Sequence, residues 1–205
     1  MPTMRDTSRR ILAAICTAGL ALGAAGCASG HDRAPSSGEF TFVAPGGQTT
    51  IKYPADQRKA VHPFSGPSVA DQHKTIALDD YKGKVVVLNA WGQWCAPCRS
   101  ESDDMQQIQA ELSKMPGKPG TVLGINVRDY NQQVSKDFMV DNGLKYPSLY
   151  DPPFKTAAAL GGVPASVIPT TIILDKQHRP AAVFLREVTA KDVMDVVNPL
   201  LAEEG

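Results

Sequence analysis

The sequence predicts an α/β protein with a mixed central sheet flanked on both faces by helices, and three stretches carry that prediction. Val85-Val86-Val87-Leu88-Asn89-Ala90-Trp91 is a nearly continuous apolar run, as a central strand buried on both faces requires. Met105, Ile108, Leu112 and Met115 then recur at helical spacing on a polar background, closed by Pro116-Gly117. Val193, Val196, Val197, Leu200 and Leu201 form a second apolar stripe behind Thr189, a helix cap, with Asp192 in the first turn. Strands alternating with helices favour a sheet covered on both sides.

The remaining elements follow in order. Glu39-Phe40-Thr41-Phe42-Val43 and Thr49-Thr50-Ile51-Lys52-Tyr53 flank a Pro- and Gly-rich turn and read as an N-terminal β-hairpin. Residues 54–71 hold Pro63, Gly66 and Pro67 without a sustained period, so they read as a surface loop. Thr75-Ile76-Ala77-Leu78 is a short strand, and Lys82-Gly83-Lys84 turns the chain into the central run. Beyond the first long helix come a strand over 121–127 and a helix through Val134 and Phe138 that ends near Gly143. A short helix over 155–160 precedes a closing antiparallel pair, 170–174 and 181–186.

The N-terminus reads as an address. Arg5, Arg9 and Arg10 precede an apolar core over 11–26 that ends in small residues, the pattern of a signal peptide over 1–26. Ala24-Ala25-Gly26-Cys27 resembles a bacterial lipobox, which makes Cys27 the expected lipidation site and membrane anchor. Lipoboxes usually carry Leu where this chain has Ala24, which keeps ordinary cleavage and an uncleaved anchor open. Residues 27–38 are small and polar, a composition that cannot bury enough surface to fold, and read as a flexible tether. Residues 39–205 are left for one folded domain. Basic and acidic residues both number 21, so global charge gives no support to nucleic-acid binding.

Chemistry concentrates at Trp91-Gly92-Gln93-Trp94-Cys95-Ala96-Pro97-Cys98-Arg99, between the buried strand and a helix start. A cysteine at a helix N-terminus meets unpaired backbone N–H groups and the positive end of the helix dipole, which stabilise its thiolate. Cys95 is therefore the expected nucleophile and Cys98, one turn on, the resolving thiol. Arg99 adds a nearby positive charge. A zinc site is disfavoured, because with Cys16 and Cys27 assigned to export no second cysteine pair exists and the histidines show no ligand spacing. A purely structural bridge is disfavoured too, since so short a loop gains little from crosslinking. No metal is expected.

Lys82 to Trp91 running into Trp94-Cys95-Ala96-Pro97-Cys98-Arg99-Ser100-Glu101, with Ile168-Pro169-Thr170-Thr171-Ile172-Ile173-Leu174-Asp175 downstream, resembles the TlpA/ResA-like branch of the thioredoxin superfamily. The resemblance covers roughly residues 70 to 202. It implies a thioredoxin-like fold with a four- or five-stranded core sheet and an inserted strand-helix unit within 121–160. It also implies that Pro169, rather than nearby Pro164, is a cis proline facing the cysteines, with Ile168 contacting the substrate chain. Asn89 stands where thioredoxins carry a buried Asp. Glu101 matches the glutamate of ResA-like proteins and is expected to exchange the proton of the resolving thiol, the plainer reading being a first-turn acid that complements the helix dipole. Trp91 and Trp94 read as shielding residues, with Trp94 shaping the docking surface.

The implied activity is thiol–disulfide exchange without a cofactor. The implied clients are disulfide-containing exported proteins, apocytochrome c with its C-x-x-C-H cysteines among them, and the implied electron donor is a membrane thiol-transfer protein. Alternatives are an oxidase or isomerase using the same cysteines, or a non-catalytic lipid-anchored binding module. A thiol peroxidase is disfavoured, because the Pro-x-x-x-Thr-x-x-Cys setting is absent before Cys95.

Overall fold

The computed structural model describes residues 38–203. The expected signal peptide, most of the tether and Cys27 lie outside the described residues. Within them the strands are β1 Thr50–Lys52, β2 Ser65–Pro67, β3 Thr75–Ala77, β4 Val85–Trp91, β5 Gly120–Asn126, β6 Ser148–Tyr150, β7 Thr170–Leu174 and β8 Pro180–Phe184. The helices are α1 Ala96–Ser100, α2 Ser102–Lys114, α3 Gln132–Asp141, α4 Thr156–Ala159 and α5 Ala190–Ala202.

Strand β4 is buried at all of its positions and sits inside a six-stranded mixed sheet of order β1-β8-β7-β4-β5-β6. It runs parallel to β5, which is parallel to β6, and antiparallel to β7, which is antiparallel to β8. Successive side chains of a strand point to opposite faces. Val85, Val87 and Trp91 therefore join one apolar layer with Met105, Ile108 and Leu112 of α2 and Val193, Val197 and Leu200 of α5. Val86, Leu88 and Ala90 join the other, with Phe40, Val61, Phe154 and Leu160. The period places Asn89 on the α2 side.

The thioredoxin-like expectation holds, with a sheet wider than the four or five strands expected. The window 121–160 contains α3 and β6, and β6 extends the sheet along the edge of β5. Thr189 caps α5 as expected, accepting from Asp192 N–H while the Asp192 carboxylate accepts from Thr189 N–H.

The N-terminal hairpin predicted over 39–53 does not form. Residues 50–52 instead pair with β8, Ile51 opposite Val183, and Glu39 makes only an isolated bridge to Ala60. A lone two-stranded hairpin is marginal in water, whereas the β8 edge offers backbone partners and buries Ile51. Phe40 packs edge-on against Tyr53 with ring centroids 5.4 Å apart, so the two segments meet through side chains. The hairpin of this region pairs β2, inside the stretch read as loop, with β3, where a short strand was expected, Ser65 opposite Ala77. Pro67 and Gly66 mask it in the sequence, and a two-stranded ribbon tolerates Pro because every strand in it is an edge.

Two helices also depart from expectation. The single long helix after the cysteines is two, α1 and α2, meeting at Glu101 where ψ is −3°. In α3, Val134 faces outward, and Ser135 and Met139 are the buried positions. Ser135 is turned inward because its hydroxyl donates into a polar cluster described below.

Candidate active site

The loop after β4 brings Cys95 to the start of α1, where it is the capping residue. Cys95 and Cys98 form a disulfide with Cα atoms 5.3 Å apart, and both are buried. The backbone N–H of Cys98 points at Cys95 Sγ, 3.2 Å away. That N–H is placed to donate to a thiolate at Cys95 once the bridge is reduced, a charge-assisted bond typical of helix starts.

The Ile168–Pro169 peptide bond is cis, and it lies directly before β7. Ile168 is half-buried, and its carbonyl oxygen lies 3.7 Å from Cys95 Sγ. Among the described residues no backbone N–H donates to that carbonyl. The chain segments around Cys95 and Pro169, more than seventy positions apart, thus meet at the reactive sulfur.

Three residues beyond Cys98 the chain carries a buried carboxylate. Glu101 is only 1% exposed, unlike Asp103 in the same turn, which is exposed. Glu101 Oε1 accepts from Asn89 Nδ2 at 2.8 Å, and Oε2 accepts from Val188 N–H at 2.9 Å. Asn89 Nδ2 also donates to Thr171 Oγ1 at 3.1 Å, across the β4–β7 register in which the two residues stand opposite each other. Burial raises the Glu101 pKa from 4.5 to about 7, helped by the charges of Glu187 and Asp104 and opposed by its two donors. A carboxyl with that pKa holds or releases a proton near neutral pH.

Trp91 is buried, donating from Nε1 to Ser148 Oγ at 3.0 Å and packing on Phe138. That bond needs Gly124, whose added Cβ would stand 2.6 Å from Ser148 Oγ and 2.9 Å from Trp91 Nε1. Trp94 is 43% exposed, with its Nε1 donating to Val127 O at 3.1 Å. Gly92 permits that close approach.

Sequence reasoning missed the cluster that holds this loop. Asp129 Oδ2 accepts from Gln93 N–H at 2.9 Å, Asn126 Nδ2 at 2.7 Å and Ser135 Oγ at 3.0 Å. Arg128 lies over the Trp94 ring, its guanidinium carbon 5.6 Å from the centroid. These residues sit after β5, and only the parallel pairing of β5 with β4 carries them to the cysteine loop. Tyr146 is also buried, and its phenol pKa is raised by burial and by Glu101. No local sequence pattern signalled any of them.

Among the described residues, no group of three or more His, Cys, Asp or Glu side chains is placed to hold a metal ion. None of the described helices is long and apolar enough to cross a membrane.

Residues 58–179, which include Cys95, Cys98, Glu101 and Pro169, match the AhpC/TSA family. The chain belongs to that family. A crystal structure of a secreted thiol-disulfide isomerase from Corynebacterium glutamicum is 61% identical, covering 80% of this chain and 98% of its own, with a TM-score of 0.78. A DsbF homologue from Corynebacterium diphtheriae is 60% identical, covering 79% of this chain and 99% of its own, with a TM-score of 0.75. The thiol-disulfide oxidoreductase ResA of Geobacillus thermodenitrificans is 32% identical over 116 residues, 57% of this chain. This alignment spans 63% of the length of that relative.

Proposed function

We propose that this chain is an exported thiol–disulfide oxidoreductase that works through Cys95 and Cys98. The carrying observation is the buried Cys95–Cys98 disulfide, with Cys98 N–H 3.2 Å and the Ile168 carbonyl 3.7 Å from Cys95 Sγ. In the reducing direction the Cys95 thiolate attacks a client disulfide sulfur, forming a mixed disulfide and releasing the first client thiolate. Cys98 then loses its proton and attacks Cys95 Sγ, freeing the second client thiolate and closing the Cys95–Cys98 bridge. Two electrons pass to the client. Glu101, one helical turn beyond Cys98, takes the Cys98 proton, a role supported by its burial and its pKa of about 7. An extended client chain lies along Ile168 and Pro169, whose carbonyl neighbour has an open acceptor, and against Trp94.

The signal peptide over 1–26 directs export, and lipidated Cys27 holds the domain, residues 39–205, at the outer face of the cytoplasmic membrane. There the clients are exported disulfide proteins, apocytochrome c among them, and a membrane thiol-transfer protein restores the dithiol. A relative named as a secreted isomerase supports an extracytoplasmic setting.

Replacing Cys98 by Ser leaves Cys95 able to attack but not to be released. The full chain carrying Cys98→Ser is expected to accumulate client proteins as mixed disulfides that dithiothreitol releases, and Cys95→Ser to accumulate none. Equal capture by both variants would refute the assignment of Cys95 as nucleophile. Direction is tested by equilibrating the couple against glutathione and dithiothreitol buffers. A potential near about −270 mV supports a reductase, and one near about −120 mV assigns the protein to the oxidases.

A further inference from the structure

The arginines among the described residues divide by what their guanidinium groups face. Arg58 pairs with Asp175 and Glu203, Arg179 with Asp175, and Arg186 with Asp192. Arg99 and Arg128 have no carboxylate oxygen within 4.0 Å among the described residues. These are also the two arginines that flank the cysteine loop.

Each is held in place by a main-chain carbonyl. Arg99 Nη1 donates to Gln93 O at 2.8 Å, and Arg128 Nη2 donates to Ala165 O at 2.5 Å. Arg128 thereby reaches from the Trp94 ring to the loop that carries Ile168 and Pro169. Its backbone adopts φ +59°, uncommon for a residue with a side chain, and is fixed by its N–H donating to Pro152 O at 2.9 Å. A guanidinium carries five N–H donors, so each of these exposed side chains keeps several facing solvent. The adjacent Asp129 carboxylate is buried and spends Oδ2 on Gln93, Asn126 and Ser135.

We infer that Arg99 and Arg128 form a cationic rim beside Cys95 that selects client disulfides whose cysteine is flanked by an acidic residue. The inference rests on the oxidoreductase reading of the same site. In an extended client chain the neighbours of the reacting cysteine lie about 3.3 Å away per residue, within reach of side chains bordering the loop. A carboxylate there meets a planar donor already immobilised, with little further side-chain freedom to lose. Exposed ion pairs change rates and affinities by about twofold to fivefold each, which sets the scale of the selection.

The test uses the reduced full chain and three disulfide-bridged peptides identical except for Asp, Ser or Lys beside the reactive cysteine. Second-order rates of peptide reduction are expected to fall in the order Asp, Ser, Lys, with about a tenfold span at low ionic strength. At 1 M salt the Debye length is about 3 Å, and the span should collapse toward unity. Arg128→Gln with Arg99→Gln should reduce the span at low salt in the same way. The salt series on the unaltered chain keeps the question answerable if the double variant fails to fold. Equal rates with all three peptides, or a preference for Lys, overturn the inference and leave the oxidoreductase reading standing. A span that survives in the folded double variant overturns the assignment to these arginines. Failure to reduce any of the peptides overturns the oxidoreductase reading itself.

Discussion

Replacing Glu101 by Gln should remove a loss of stability that the protein suffers as pH rises from 4.5 to about 7. In the unfolded chain this carboxyl titrates at its ordinary 4.5, and in the fold burial holds the proton on until about 7. Across that window the native state binds a proton that the unfolded state has released, so stability falls as pH rises. The contribution of the group is fully present below 4.5 and is lost as pH passes through about 7. The shift corresponds to about 3 kcal/mol at 1.36 kcal/mol per unit. Gln cannot ionise, but its amide must turn N–H groups toward either Asn89 or Val188, both of which are donors here. That mismatch should cost the variant about 1–3 kcal/mol at pH 4. The diagnostic quantity is the double difference, in which every other titrating group cancels. Urea unfolding of the oxidised protein and of Glu101→Gln, each at pH 4 and pH 8, should show the stability gap between them move in favour of the variant by about 3 kcal/mol. An identical pH dependence in the two proteins would refute the argument that burial keeps Glu101 protonated near neutrality.

Two further substitutions test how the cysteine loop is held. Gly92→Ala places a Cβ 2.3 Å from Trp94 Nε1 and 2.8 Å from Val127 O, so it should cost about 1–3 kcal/mol in urea unfolding and alter tryptophan emission. Unchanged emission and stability would mean that the Trp94–Val127 contact is not fixed in solution. Asp129→Ala strips the acceptor from Gln93 N–H, Asn126 and Ser135, and should destabilise by about 3 kcal/mol, with Asp129→Asn recovering most of it. Equal stability of the two variants would show that this cluster carries no net energy.

The division between what was legible in the sequence and what was not follows the range of the interactions. Val85 to Trp91 could be read as the central strand because burial on both faces demands an unbroken apolar run. Thr189 and Asp192 could be read as a cap because their bonds close within three residues. The hairpin over 39–53 failed for the opposite reason. Its strand propensity was real for residues 50–52, but the partner was chosen by the exposed edge of β8, more than a hundred positions away. Val134 failed similarly, because α3 turns on the polar demand of Asn126 and Asp129 for the Ser135 hydroxyl, which outweighed an apolar spacing of four.

At the site, the sequence by itself determined the reactive chemistry. A cysteine pair spaced by two residues at a strand-to-helix junction is a local device, and so is a glutamate one turn further on. Tertiary structure alone decided what surrounds them. Asn89 reaches Glu101 because strand alternation puts it on the α2 face, Thr171 joins through the β4–β7 register, and Val188 closes the second oxygen from the approach to α5. Arg128 and Asp129 reach the cysteine loop because β5 runs parallel to β4 and ends beside it. A carboxyl at Glu101 is written in the sequence, but its proton affinity is set by the low dielectric and the donors that the packed sheet and helices bring around it.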